Sequence, residues 1–147
     1  MRIVVTTSWD DGHVLDKKLA GLLNAYGIKG TFYISPNNKE FKPQELLEPE
    51  GVREIANSFE IGAHTMTHPH LTKVPTEVAR QEIVQSKKVL EDMLGTVVQS
   101  FCYPAGYFNA EVEHMVKEAG FTLARTVVRG KTDVGQNPFQ ITVFRDQ

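Results

Sequence analysis

The sequence predicts an α/β protein with a mainly parallel sheet, open or curled toward a barrel. Short β-branched or aromatic runs alternate with longer segments whose apolar residues recur at helical spacing, and glycines close most of those helical segments. No linker, repeat or low-complexity stretch breaks the alternation. With 147 residues, 41% of them apolar, the chain can bury a core of ordinary single-domain size, so one domain over 1–147 is expected.

The elements follow in order. Residues 3–9 (Ile-Val-Val-Thr-Thr-Ser-Trp) are short and β-branched, as a buried strand requires, and Gly12 beyond them allows a sharp exit turn. Residues 14–26 place Leu15, Leu19, Leu22 and Leu23 at helical spacing and stop at Gly27. Residues 30–34 read as the second strand, and 35–43, with two prolines and two asparagines, as a loop. A short helix over 49–57 leads to a third strand at 60–63. Residues 76–94 form the clearest helix, with Thr76 as its expected cap and Gly95 as its stop. A fourth strand is expected at 97–103, a helix at 110–119 closed by Gly120, and a fifth strand at 121–128. The tail after Gly130 contains Val134, Phe139, Ile141, Val143 and Phe144, enough for one more strand over 139–144.

Charge and composition narrow the partners. A net charge of −2 gives no basic footprint for nucleic acid or an anionic membrane, so neither is expected. Cys102 is the one cysteine, which excludes an internal disulfide and fits a reducing compartment. No charged-then-apolar leader precedes the first strand, and no apolar run approaches the roughly 18 residues of a membrane span. A cytoplasmic location is therefore the expectation.

The chemistry lies at two strand ends. Asp10 and Asp11 follow the first apolar run, and His64 and His68 follow the third strand. The carboxyl ends of strands are where open α/β sheets and barrels place their sites. Carboxylate oxygen and imidazole nitrogen suit a divalent ion such as zinc, and His-x-x-x-His sets two rings about one helical turn apart. Pro69 restricts the backbone at His68, so only a turn of helix is expected there. By itself Asp-Asp-Gly is a turn signal, and an isolated histidine pair is commonly a surface feature. Together at strand ends they favour a metal site, and two histidines with one carboxylate leave positions open, as catalytic sites do. His13 and His70 are expected in solvent-exposed loops and His114 on a helix surface. Met66 is read as a packing residue and Cys102 as a small buried apolar one.

These residues resemble a known family. Thr7-Ser8-Trp9-Asp10-Asp11-Gly12 resembles the Thr-Phe-Asp-Asp-Gly motif of polysaccharide deacetylases, the NodB-homology domains of carbohydrate esterase family four. His64-Thr65-Met66-Thr67-His68 matches that family's His-Ser/Thr-x-x-His motif, and Phe101-Cys102-Tyr103-Pro104-Ala105-Gly106 is similar to its Phe-Arg-x-Pro-x-Gly motif. Gly30-Thr31-Phe32-Tyr33 resembles its second strand. The resemblance implies a distorted, incomplete (β/α) barrel, a bound divalent metal, most simply zinc, and hydrolysis of N- or O-acetyl groups on carbohydrate. It makes Asp11, His64 and His68 the metal ligands and Asp10 the general base, and it places an oxyanion donor at the backbone N–H of Ala105. Tyr103, Pro104 and Tyr107 would contact substrate. Trp9 and Phe108 offer flat faces for sugar rings, with core packing equally open for Trp9.

The chain departs from the family pattern twice. Cys102 stands where the third motif carries an arginine that orients the aspartate, and a thiol cannot make that bidentate contact. Arg125 is the candidate replacement, against a surface or structural role. In addition, no histidine follows His114 to match the family's Leu-x-His motif, whose histidine protonates the leaving amine. The missing barrel edge is expected either to belong to a fragment or shortened relative or to be covered by another subunit, most simply in a homodimer. The reading is a metal-dependent deacetylase acting on acetylated carbohydrate. Two alternatives stand beside it: a catalytically weakened domain that binds metal or glycan, and an amide hydrolase for a small non-carbohydrate substrate.

Overall fold

A computed structural model of the chain describes residues 5–130 and 136–144. Six strands, β1 (Thr7–Asp11), β2 (Gly30–Ile34), β3 (Glu60–Ala63), β4 (Ser100–Cys102), β5 (Leu123–Arg129) and β6 (Ile141–Val143), form one sheet in sequence order. Every neighbouring pair is parallel. Helices α1 (Asp16–Ala25), α2 (Pro49–Ala56), α3 (Thr76–Leu94) and α4 (Ala110–Glu118) make the crossovers between the first five strands. Strand order that follows the chain step by step is the winding of a barrel, and here six strands curl into half of one. Among the described residues no helix is long and apolar enough to cross a membrane.

The core lies between sheet and helices. Phe32, Ile34, Ile61 and Phe101 from the strands meet Leu23 of α1, Val52 and Ile55 of α2, Ile83 and Leu90 of α3, and Val116 of α4. On α3 the buried positions Ala79, Ile83, Ser86 and Leu90 fall on one stripe, as a helix lying along a sheet requires. Its far end stops at Gly95, in left-handed backbone at φ +68, a conformation glycine adopts without steric cost.

Several expected boundaries shift. Strand β1 runs forward to include both aspartates, whereas Ile3 and Val4 lie outside the described residues. Strand β4 is shorter than expected because the backbone of Val98 bonds to side chains of α3. Its N–H donates to Glu91 Oε1 at 3.0 Å, and its carbonyl accepts from Lys87 Nζ. Thr76 does not cap α3: Pro75 is the N-cap, and the Thr76 hydroxyl donates to Glu111 at 2.9 Å. The additional strand forms over Ile141–Val143, with Phe139 ahead of it packed on the core and Phe144 exposed; Val134 lies outside the described residues.

β1 and β6 are the edges of the sheet, facing each other across an open groove. Beside β1, Leu22 of α1 and the flanking cap residues Leu15 and Tyr26 are exposed.

Candidate metal and catalytic site

The groove between the sheet edges has a volume of about 1010 Å³, and Asp10, Asp11, His64, His68, Ala105 and Arg125 all line it. Bringing both aspartates there takes a break in strand geometry, because neighbouring residues of a regular strand point to opposite faces. Asp11 supplies the break, with φ at +83, and Gly12 continues it at φ +80. Aspartate is among the few side chains that enter this region readily. A Cβ on Gly12 would meet Ile34 Cγ2 at 3.0 Å, so a larger residue would have to push the Ile34 side chain aside as well as adopt a left-handed backbone.

The histidines sit on the segment after β3, which adds one more ladder bond, His64 N–H to the Ile34 carbonyl at 3.0 Å. No helical turn follows, contrary to expectation. Thr65 at φ +65 and His68 at φ +66 instead fold the segment back, bringing the two rings to a centroid separation of 4.8 Å. His68 N–H donates to Thr65 Oγ1 at 3.0 Å, which holds the fold from inside.

Ring orientation follows from the partners. His64 Nδ1 lies 2.7 Å from the Cys102 carbonyl, which can only accept, so the proton is on Nδ1 and Nε2 carries a free lone pair. Burial lowers the His64 pKa to about 4, so the ring is neutral at physiological pH. His68 Nδ1 lies 2.9 Å from Glu40 Oε1, which orients its Nε2 in the same way.

Both Nε2 atoms face Asp11 Oδ1, at 3.6 Å from His64 and 3.4 Å from His68. These distances are too long for hydrogen bonds. They match the corners of a tetrahedron about an ion with ligands at about 2.0–2.2 Å, whose edges are about 3.4 Å. Burial pushes the Asp11 pKa up, opposed by His68, a cost that a cation between these atoms would relieve.

Asp10, His64 and Cys102 form a second donor cluster. A cation already fills it. Arg125 Nη2 contacts Asp10 Oδ1 and lies 3.0 Å from Cys102 Sγ, and burial holds the thiol pKa well above its usual value. The set formed by Asp11, His64 and His68 is therefore the one suited to a metal ion.

The sheet register explains how Arg125 arrives there. Arg125 is the direct β5 partner of Cys102 on β4, so the two side chains share a face about one strand spacing apart. The guanidinium also lies over the Tyr33 ring, 5.1 Å from its centroid, in a nearly closed environment.

The remaining candidates separate. Ala105, at φ +50, lines the groove. Tyr103 does not: it is fully buried, stacks on Phe108 at 4.7 Å and donates its hydroxyl to the Phe139 carbonyl at 3.0 Å. Its place on the strand–turn junction turns the ring into the core, which corrects the expectation of a cleft residue. Pro104 is likewise buried. Tyr107 is exposed but lies outside the groove lining, packed against His70 with Lys73 over its ring. Trp9 lines the groove and is 38% exposed, with its indole N–H donating to Thr7 Oγ1 at 3.1 Å. His114 is on the α4 surface, and Cys102 is buried, as expected.

Sequence reasoning missed four polar residues around the site. Asn38, buried in the expected loop, reaches Asp11 Oδ1 at 3.5 Å and accepts from the Glu40 N–H at 2.9 Å. Glu40 holds His68, and Glu82 holds the loop between the histidines. Asp16 is buried with one carboxylate oxygen unpartnered; burial, and then the charges of Asp11 and Asp10, raise its pKa to about 7. Two asparagines and a glutamate within ten residues of a strand end were the available signal for the loop, but they read equally well as turn residues.

The profile of the polysaccharide deacetylase family matches residues 2–124, and the chain belongs to that family. Its sequence is 32% identical over 94 residues to a peptidoglycan-N-acetylglucosamine deacetylase of Bacillus cereus, covering 62% of this chain and 32% of that protein. It is 29% identical over 116 residues to chitin deacetylase 1 of Cryptococcus neoformans, covering 78% and 24%. Among solved structures, the Streptococcus pyogenes deacetylase PplD in complex with acetate superposes with a TM-score of 0.88 at 20% identity, covering 97% of this chain and 64% of that one. This likeness shows the shared half-barrel fold. The chain spans half or less of the length of the curated relatives it matches.

Proposed function

We propose that this chain carries the metal-binding and base-bearing part of a deacetylase that hydrolyses acetyl groups, most simply N-acetyl, on carbohydrate. The observation that carries the reading is the convergence of two imidazole Nε2 atoms on one Asp11 oxygen at tetrahedral-edge distances, next to a second carboxylate paired with arginine. Family membership and the named substrates of the relatives, peptidoglycan N-acetylglucosamine and chitin, favour the acetylated sugar.

Asp11, His64 and His68 hold the ion, and zinc fits an N₂O donor set with open positions. When bound, such an ion acidifies water and polarises a carbonyl. Asp10, kept off the ion by its pairing with Arg125, accepts the proton from the attacking water through its carboxylate. Arg125 holds that carboxylate toward the groove, taking over from β5 the part that the third motif's arginine plays in the family. The Ala105 backbone N–H, in the same groove, donates to the developing oxyanion, worth about 3 kcal/mol of transition-state stabilisation.

A second reading, a domain that binds metal and glycan with weak turnover, is favoured by the groove lining. Among the described residues its titratable groups are Asp10, Asp11, His64, His68 and Arg125, all used above, leaving no separate donor for the leaving amine. Acetate release from N-acetylglucosamine oligomers, with and without added zinc, tests the reading. Zinc-dependent release supports deacetylation; oligomer binding without release supports the second reading. Release from small amides in preference to the oligomers would redirect the assignment to a non-carbohydrate substrate.

A further inference from the structure

The loop that carries His68 is held in a conformation its own residues do not favour. Thr65 and His68 are both left-handed, neither is glycine, and such backbone persists only where its surroundings over-determine it. The restraint comes from α3. Glu82 Oε2 accepts from the N–H groups of Met66 and Thr67, each at 2.8 Å, and Glu82 Oε1 accepts from the Thr67 hydroxyl at 2.6 Å. One carboxylate, which only accepts, thus collects three donors from the two residues between the bends.

We propose that Glu82 is a positioning residue for the metal site, fixing the arc 65–68 so that His68 Nε2 stands opposite Asp11 before an ion arrives. Glu82 is suited to this because its helix is anchored: Ala79, Ile83, Ser86 and Leu90 bury the adjoining stripe. Among the described residues no Lys, Arg or His side chain forms an ion pair with Glu82, so its charge is directed to the loop. It lies outside the groove lining and has no contact with the reacting groups. The far side of the same loop is bound less tightly, by Asn37 N–H to the Met66 carbonyl at 2.9 Å and Lys39 N–H to the Thr67 carbonyl at 3.2 Å. Glu82 therefore fixes the backbone of the arc, while Glu40 from the loop 35–42 orients the His68 ring.

The inference rests on the assignment of Asp11, His64 and His68 as ligands, so its test includes that assignment. Cobalt(II) is titrated into the metal-free full chain and into Glu82→Ala, Glu82→Gln, Thr67→Val and His68→Ala, with affinity read by chelator competition and geometry by the visible absorption band. Thermal unfolding of each metal-free protein records folding separately. The expected result is about one cobalt in the parent, almost none in His68→Ala, and a roughly 10–100-fold affinity loss with an altered band in Glu82→Ala. Glu82→Gln recovers part of the affinity, since its amide oxygen still accepts, and Thr67→Val, which loses one contact, falls between it and the parent. Parent-like affinity and band in Glu82→Ala, alongside loss in His68→Ala, would overturn the role of Glu82 and leave the ligand set standing. A parent without cobalt, or full binding by His68→Ala, would overturn the ligand set and this inference with it. If Glu82→Ala does not fold, parent-like binding by both Glu82→Gln and Thr67→Val overturns the proposal.

Discussion

Asp10 on β1 and Arg125 on β5 form an ion pair although three strands lie between their own in the sheet. Only a curled sheet lets the two side chains meet, so the contact ties the half-barrel directly to the site. Arg125 is also the register partner of Cys102 on β4, and the buried thiol contacts the same guanidinium.

Arg125→Ala should therefore lower stability by about 2 kcal/mol, less than the 3–5 kcal/mol of a fully buried pair because the Asp10 side chain keeps 28% exposure. Hydrolysis should fall further than binding. Adding Cys102→Arg to that variant places a guanidinium one strand away and should recover part of both, measured by denaturant unfolding and acetate release. Recovery of neither would show that the cation cannot be moved between these strands.

Asp16 gives a pH signature. Its folded pKa, about 7, lies above the ordinary 3.8, so the fold favours the neutral acid. Stability from this group is full below about pH 4 and is lost as pH rises toward 7, a cost of up to about 4 kcal/mol. In chelator-treated protein, Asp16→Asn should raise the melting temperature at pH 8 and change it little at pH 4. Equal effects at both pH values would contradict the assigned shift.

The adjacent acids should separate by function. Asp10→Asn should retain metal but lose about 10²–10⁴-fold in turnover, because an amide cannot accept the proton, whereas Asp11→Asn should lose metal as well. Metal content and acetate release on the same samples check both halves. Near-normal turnover by Asp10→Asn would assign the base elsewhere.

Much of this was legible in the residues. Helices bounded by glycine and strands such as Gly30–Ile34 follow from local pattern, and α3 from its periodic stripe. Asp10, Asp11, His64 and His68 were readable as a group because strand ends concentrate chemistry. The route by which they converge was not. Neighbouring aspartates on a strand should diverge, and the positive φ of Asp11, Thr65 and His68 has no signature in residue type alone. Glu82 read as one more charge on a helix face, since its partners are backbone N–H groups 15 and 16 positions away. Tyr103 was misplaced because strand β4 ends earlier than its apolar run, so the ring turns inward where the run suggested a continuing edge.

The metal centre is the claim on which the rest depends, and elemental analysis of the purified chain and its variants tests it most directly. After equilibration with zinc and removal of the excess, the parent should hold about one ion per chain, while His64→Ala and His68→Ala should each hold almost none with their folded circular-dichroism spectra intact. Undiminished zinc in both folded variants would contradict the centre formed by Asp11, His64 and His68.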